Sequence, residues 1–138
     1  MKQINAVVLA TILVAYSVSV SADGPAIGPN GGQVRDAGKY HIELVVKDAT
    51  LTVYVTGSKN TKIAAKGATG TATVLAGKGT SNVKLEPSGE NALAGGGGFQ
   101  PASDMKVVVS VTLPGQPPVQ ARFTPLEKPK PSAKAAAK

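Results

Sequence analysis

Apolar and polar residues alternate strictly between positions 40 and 56, and this is the clearest pattern in the chain. From position 40 to position 47 one face is apolar: Tyr40, Ile42, Leu44 and Val46. The other face carries His41, Glu43, Val45 and Lys47. From position 50 to position 56 the phase is reversed, and the apolar residues are Leu51, Val53 and Val55. A period of two residues predicts two half-buried β-strands.

These strands predict a β-hairpin with a definite register. If Asp48 and Ala49 form a two-residue loop, Lys47 pairs with Thr50. The pairing then sets the following residues opposite each other: Ile42 and Val55, Leu44 and Val53, Val46 and Leu51, and Glu43 and Tyr54. Both apolar faces coincide in this register, whereas a slip of one residue would turn one strand inside out.

Further alternating runs predict two more hairpins. Residues 71–76 and 81–86 flank a turn at 77–79, and residues 105–113 and 119–123 flank a turn rich in Pro and Gly. In the last hairpin the inward positions are apolar: Met105, Val107, Val109, Val111, Leu113, Val119, Ala121 and Phe123. Short strands are also predicted at 33–36, near 62–65 and at 91–94, and the four glycines at 95–98 predict a flexible connection.

The pattern amounts to about seven or eight short strands separated by turn signals. It predicts an all-β fold, namely an immunoglobulin-like antiparallel β-sandwich, and a small closed barrel of the same strands is the alternative. A length of 138 residues fits one domain with tails. Aromatic residues make up only 4% of the chain, so the core should be built from Val, Leu, Ile and Ala.

Residues 1–22 have the features of a secretory signal peptide. The apolar run from Ala6 to Val20 is short for a bilayer span, and Val20 and Ala22 satisfy the small-residue rule for cleavage after Ala22. An uncleaved anchor and a buried helix of the fold are the alternatives. Cleavage predicts an exported, periplasmic product in which residues 23–32 form an extended lead-in and residues 33–124 form the β-sandwich domain.

The C-terminal segment, residues 125–138, carries much of the positive charge. The formal charge of the chain is +7, and this segment holds four lysines against Glu127. Because Lys, Pro and Ala leave almost nothing to bury, the segment is predicted to be a disordered tail. It could contact an anionic envelope surface. Nucleic acid is an unsuitable partner for an exported chain whose tail lacks arginine and aromatic residues.

Candidate chemistry is restricted to one strand face. The chain has no cysteine, which excludes thiolate metal sites, and His41 is the single histidine. His41 and Glu43 share the outer face, where they could supply two ligands to a Cu or Zn ion, and Asp36 or Asp48 could add a carboxylate. The competing interpretation is an ordinary solvated sheet face, in which Glu43 pairs with Tyr54 across the strands.

The sequence predicts no enzyme. A serine nucleophile would depend on His41 as its base, and no nucleophile-elbow motif, metalloprotease histidine pair or recognisable carboxylate pair is present. The loop at 77–80 resembles a phosphate-binding loop only superficially. That motif requires glycine at position 72 and serine or threonine at position 79, where this chain has Ala72 and Gly79.

Three stretches carry a resemblance to a known group: PNGGQVRDAGKYHIELVVKDATLTVYVTG, GTATVLAGKGTSNVKLEP and MKVVVSVTLPGQPPVQARF. They resemble the small periplasmic β-sandwich domains found alone or near the N-terminus of membrane-fusion proteins of heavy-metal efflux systems. The resemblance covers roughly residues 29 to 123, and its motifs are structural, so it implies a fold more than an activity. In that group a histidine often precedes the two glycines, where this chain has Asn30, so only His41 matches the implied metal ligands.

The residues and the resemblance together predict a non-enzymatic periplasmic binding or accessory module, associated with heavy-metal efflux or homeostasis. Its partner would be a periplasmic protein such as an efflux component. Two alternatives remain open: a weak Cu- or Zn-carrying protein that uses His41 and Glu43, and an envelope structural protein with no ligand.

Overall fold

A computed structural model describes residues 26–127, and within this range the chain forms nine antiparallel β-strands. They are β1 (Ala26–Ile27), β2 (Gln33–Ala37), β3 (Tyr40–Lys47), β4 (Thr50–Thr56), β5 (Thr69–Ala76), β6 (Gly79–Pro87), β7 (Ala92–Gly96), β8 (Lys106–Thr112) and β9 (Val119–Phe123). A short 3₁₀ turn at Ser58–Asn60 follows β4. The predicted signal peptide and most of the predicted tail lie outside the described residues.

The β3–β4 hairpin has the register that the alternation predicts. Ile42 pairs with Val55, Leu44 with Val53, and Lys47 with Thr50. The apolar side chains of both strands face the core, where most of them are almost fully buried. Asp48 adopts a positive φ of 53° in the two-residue loop, a conformation that Asp tolerates better than most residues. The predicted hairpin is therefore confirmed residue by residue.

All nine strands belong to one curled sheet, a half-barrel, with the order β1-β2-β3-β4-β7-β6-β5-β8-β9. Strands β5, β6 and β7 follow one another as neighbours, and β8 returns to lie beside β5, which makes a Greek key. The long strand β6 links the two halves of the sheet, because it pairs with β5 along most of its length and with β7 at Glu86 and Pro87. The prediction of an all-β antiparallel fold is confirmed.

The concave side of the curled sheet encloses an aliphatic core. Its largest fully buried side chains are Phe123, Ile42, Leu44, Leu51, Leu85, Leu93, Met105, Val53, Val55, Val74, Val107 and Val109. Every strand from β3 to β9 contributes to this core. Burying one such Val or Leu side chain stabilises a fold by about 1.5–3 kcal/mol. The apolar residues whose alternation predicts the strands are therefore also the residues whose burial stabilises the fold.

Side chains, in place of a backbone ladder, join β2 near one end of the sheet to β9 and the residue after it at the other end. The amide of Gln33 on β2 donates to the Thr124 carbonyl oxygen at 2.7 Å and accepts from the Thr124 N–H at 3.0 Å. Two residues further along β2, Arg35 Nε donates to the Arg122 carbonyl oxygen at 3.1 Å. We call the line where β2 meets β9 the seam. Gln33 satisfies both backbone groups of Thr124 as a paired residue on a neighbouring strand would.

Three local predictions are wrong. Gly95 and Gly96 lie in β7 and not in a flexible connection. A Cβ at Gly95 would overlap the Lys84 carbonyl oxygen, so glycine is required there by the close passage of β6. The strand expected near 62–65 is reduced to a single bridge between Thr56 and Lys62, and the turn between β5 and β6 has two residues, because Ala76 pairs with Gly79.

Replacing Gln33 should measure the strength of the seam. Gln33→Ala removes two hydrogen bonds and leaves both backbone groups of Thr124 without a protein partner, so we expect the free energy of unfolding to fall by about 1–3 kcal/mol. Gln120→Ala, which removes an exposed glutamine from β9, is the matched control and should change it by less than about 0.5 kcal/mol. Urea denaturation followed by circular dichroism measures both. Equal effects of the two substitutions would contradict a role for Gln33 in joining the edges.

Candidate functional site

The outer face of β2, β3 and β4 brings the predicted site residues into two neighbouring rows. In the first row Asp36 pairs with His41, and His41 pairs with Thr56. In the second row Glu43 pairs with Tyr54, as the derived register predicts. His41 and Glu43 therefore lie on the same face of the same strand, one row apart.

His41 contacts the carboxylate of Asp36. The distance between His41 Nδ1 and Asp36 Oδ1 is 2.6 Å, and the exposed fractions of the two side chains are 40% and 80%. A neutral imidazole that donates its Nδ1–H to a carboxylate keeps the Nε2 lone pair available, which is the usual arrangement around a metal-bound histidine. Of the two aspartates considered as additional ligands, Asp36 is thus adjacent to His41, whereas Asp48 lies at the opposite end of β3.

Glu43 has a different environment, because the lead-in folds over it. The residue is only 5% exposed. Its Oε1 accepts hydrogen bonds from the N–H groups of Asn30 and Gly32, and its Oε2 accepts one from the Asn30 side-chain amide, each at 2.9 Å. The expectation of a solvated outer face is therefore wrong at Glu43. Three donors already occupy its oxygens, so a metal ion would have to displace the lead-in to reach them.

The glycines around Asn30 allow this close approach. A Cβ at Gly28 would overlap the Glu43 carboxylate, and a Cβ at Gly32 would overlap the Leu44 carbonyl oxygen. Gly31 has a positive φ of 81°, which glycine adopts without strain. The turn is completed by hydrogen bonds from Gly28 N to Gly32 O and from Gly31 N to Gly28 O. The sequence predicts a turn in this stretch, but no pattern in it indicates that Asn30 binds Glu43.

The other buried polar side chains also serve the fold. Gln33 joins the seam, and Asn91 Nδ2 donates to the Val55 carbonyl oxygen at 3.1 Å. Among residues 26–127 no buried side-chain nitrogen or oxygen lacks a hydrogen-bond partner. In the same range no three His, Cys, Asp or Glu side chains are grouped so that they could hold a metal ion.

A second surface, the outer face of β6, β5, β8 and β9, is larger and almost entirely polar. The register places these side chains in adjoining rows: Thr69, Thr71, Thr73, Leu75, Thr80, Asn82, Lys84, Glu86, Lys106, Val108, Ser110, Thr112, Gln120 and Arg122. We call this surface the hydroxyl face. Leu75 is its most exposed apolar residue. No single strand predicts this surface, because each of its strands has an ordinary alternation of apolar and polar residues.

Compared with protein families, with curated proteins and with solved structures, the chain shows no match. Within residues 26–127 no helix is both long enough and apolar enough to cross a bilayer.

Replacing Glu43 should test its structural role. Glu43→Gln preserves the shape of the side chain, but its amide nitrogen cannot accept the hydrogen bond from Asn30 Nδ2, so we expect the free energy of unfolding to fall by about 1–3 kcal/mol. Glu86→Gln, at an exposed position paired only with Lys84, is the control and should have an effect below about 0.5 kcal/mol. Thermal and urea denaturation measure both. A destabilisation by Glu43→Gln no greater than that of the control would show that the hydrogen bonds between Glu43 and the lead-in do not stabilise the fold.

Proposed function

We propose that this chain is an exported, non-enzymatic binding or accessory module of the bacterial envelope. The observation that carries the proposal is the hydroxyl face, a broad surface of side chains that make few contacts with one another. Between side chains of this face within residues 26–127, Thr73 Oγ1 donates to Asn82 Oδ1 at 3.1 Å, and Lys84 forms an ion pair with Glu86 at 3.0 Å. A surface of this kind offers donors and acceptors for another macromolecule.

The placement of the buried polar groups supports a binding role over a catalytic one. Each buried polar side chain holds a backbone segment in place, namely Glu43, Gln33 and Asn91. Their polar atoms are engaged in these structural hydrogen bonds, which does not suit a role in proton transfer. The polar side chains that remain accessible are spread over a convex surface.

The resemblance to heavy-metal efflux domains supplies the biological setting of this proposal. In terms of fold, we propose that the curled sheet is a variant of the immunoglobulin-like sandwich, in which β2, β3, β4 and β7 face β6, β5, β8 and β9. The partner would then be a periplasmic protein such as an efflux component, and the export signal in residues 1–22 would bring the chain to it.

A pull-down from envelope extract should separate recognition by the hydroxyl face from attraction to the tail. We expect the mature chain to retain specific partners when residues 125–138 are deleted, and to lose them when Thr71 and Ser110, which pair at the centre of the face, are both changed to Arg. The control is Thr50→Arg, an exposed position on β4. Loss of every envelope contact on deletion of the tail alone would favour the third possibility, an envelope structural protein that recognises nothing through its sheet.

One observation favours a second candidate function, a Cu- or Zn-carrying protein. The contact between Asp36 and His41 orients the imidazole so that Nε2 can bind a metal ion, with an exposed fraction of 40% for the His41 side chain. Since Glu43 is occupied by the lead-in, one histidine is the main ligand that this candidate can rely on. Affinity should therefore be modest, because firm sites use three or four ligands.

Titration of the mature protein with Cu(I), Cu(II) and Zn(II) should decide whether this candidate holds. If the chain carries metal, we expect binding with a dissociation constant below about 10 μM that His41→Ala abolishes and Glu43→Gln leaves within about twofold. Isothermal calorimetry measures these values. Weaker binding, or binding unchanged by His41→Ala, would rule the candidate out.

A further inference from the structure

Asn30 is directly followed by Gly31, and this is the single Asn-Gly pair in the sequence. Asparagine is a chemically labile residue, because the backbone nitrogen of the next residue can attack the carbonyl carbon of its side-chain amide. A following glycine favours this attack, since it has no Cβ to hinder it and adopts a wide range of backbone conformations. The other asparagines are followed by residues that carry a Cβ: Asn5, Asn60, Asn82 and Asn91.

The fold leaves the pair of Asn30 and Gly31 open to solvent. Both residues are exposed. Apart from the chain neighbours of Gly31, no heavy atom lies within 4 Å of the position that a Cβ on this glycine would occupy. This side of the turn therefore has room for water and for a change of backbone conformation.

Hydrogen bonds of the closed lead-in hold both reacting groups. Asn30 Nδ2 donates to Glu43 Oε2 at 2.9 Å, and the attacking nitrogen, Gly31 N, donates to the Gly28 carbonyl oxygen at 3.0 Å. The attack has to turn Gly31 N toward Asn30 Cγ, so these hydrogen bonds must break first. The reaction therefore proceeds from a locally opened state of the lead-in.

Beyond the hydrogen bonds to Glu43, β1 attaches residues 26–32 of the lead-in to the sheet. This strand pairs with β2 at two positions, Ala26 with Val34 and Ile27 with Gln33, and Ile27 is 70% exposed. Because β1 buries so little apolar surface, opening of this segment should require far less free energy than global unfolding.

We propose that Asn30 is a site of spontaneous deamidation, and that this modification releases the lead-in from β3. Gly31 N bonds to Asn30 Cγ while the bond from Cγ to Nδ2 breaks, and the departing nitrogen takes the Gly31 amide proton and leaves as ammonia. Water then opens the resulting five-membered succinimide ring at either of its carbonyl carbons. The product is aspartate or isoaspartate at position 30, and water is the co-reactant.

The product cannot restore the contact with Glu43. A carboxylate oxygen takes the place of Asn30 Nδ2, which lies 2.9 Å from Glu43 Oε2, so a donor is lost and two negative charges face each other. Isoaspartate also routes the main chain through the side-chain carbons, which displaces the N–H groups that bind Glu43 Oε1. The modification thus converts the closed lead-in permanently into an open one and makes the Glu43 carboxylate accessible.

Ageing of the purified protein at mildly alkaline pH tests whether the reaction occurs. Peptide mass spectrometry detects the replacement of the amide NH2 by OH, and we expect it at Asn30 before any other asparagine. Glu43→Gln should accelerate the reaction roughly tenfold, since loss of a charge-assisted hydrogen bond raises the opened population by about that factor. Glu86→Gln is the matched control and should leave the rate unchanged.

Two results of this experiment would overturn the proposal. One is deamidation at Asn30 that is no faster than at Asn60, which lies exposed in the turn after β4. The other is a rate at Asn30 that Glu43→Gln changes no more than Glu86→Gln does.

Asn30→Asp tests the structural consequence, and Asn60→Asp, which adds the same charge at an exposed position, is its control. Hydrogen exchange followed by NMR measures the opening of the lead-in. We expect the N–H groups of residues 30 and 32 to exchange at least about tenfold faster in Asn30→Asp and in the aged protein, and at the wild-type rate in Asn60→Asp. Protection of the β8 amides verifies that each variant is folded.

Exchange at residues 30 and 32 that stays at the wild-type rate in folded Asn30→Asp would show that the modification does not release the lead-in. The proposed function would survive this result, because that function depends on partners captured through the hydroxyl face. Conversely, an unchanged pull-down in the Thr71 and Ser110 double variant would remove the proposed function without affecting deamidation at Asn30.

Discussion

A sheet that curls without closing leaves two edges, and the integrity of this fold depends on how those edges are satisfied. Unpaired backbone groups at a sheet edge invite pairing with other chains. Here the side chain of Gln33 occupies both backbone groups of Thr124, and Arg35 covers the carbonyl oxygen of Arg122. The side chains of β2 therefore complete the half-barrel and protect β9 at the same time.

Side-chain hydrogen bonds also hold the lead-in against the sheet. Glu43 lies on a strand face that the alternation marks as polar, yet the chain buries it by folding residues 28–32 over its carboxylate. The charge is stabilised by backbone N–H groups and one amide, which is the condition under which a carboxylate can be buried at modest cost. Glu43, which could be a metal ligand in an open site, is thus the residue that holds the lead-in, and the remaining candidate metal ligand on this face is His41.

How much could be predicted from sequence differs between particular elements. The β3–β4 register follows from the period-two alternation. The alternation shows which face of each strand is buried, and with a two-residue loop only one pairing puts both buried faces on the same side. Gly95 and Gly96 read as part of a flexible connection, since nothing in the local sequence indicates that β6 passes so close to Gly95 that a side chain would not fit. The pairing of Glu43 with Tyr54 was predicted correctly, whereas the contact between Glu43 and Asn30 was not, because it joins a strand to a turn with no periodic relation to it.

The sequence by itself determined the all-β class, the positions of the main strands and the aliphatic core, because these depend on local alternation and on turn residues. Only the tertiary structure decided that the nine strands share one sheet, that hydrogen bonds from the lead-in occupy the Glu43 carboxylate, and that Arg35 binds the backbone of Arg122. The physical reason is separation along the chain. Gln33 and Thr124 are 91 positions apart, and no local sequence pattern indicates that the curl of the sheet will bring their strands together.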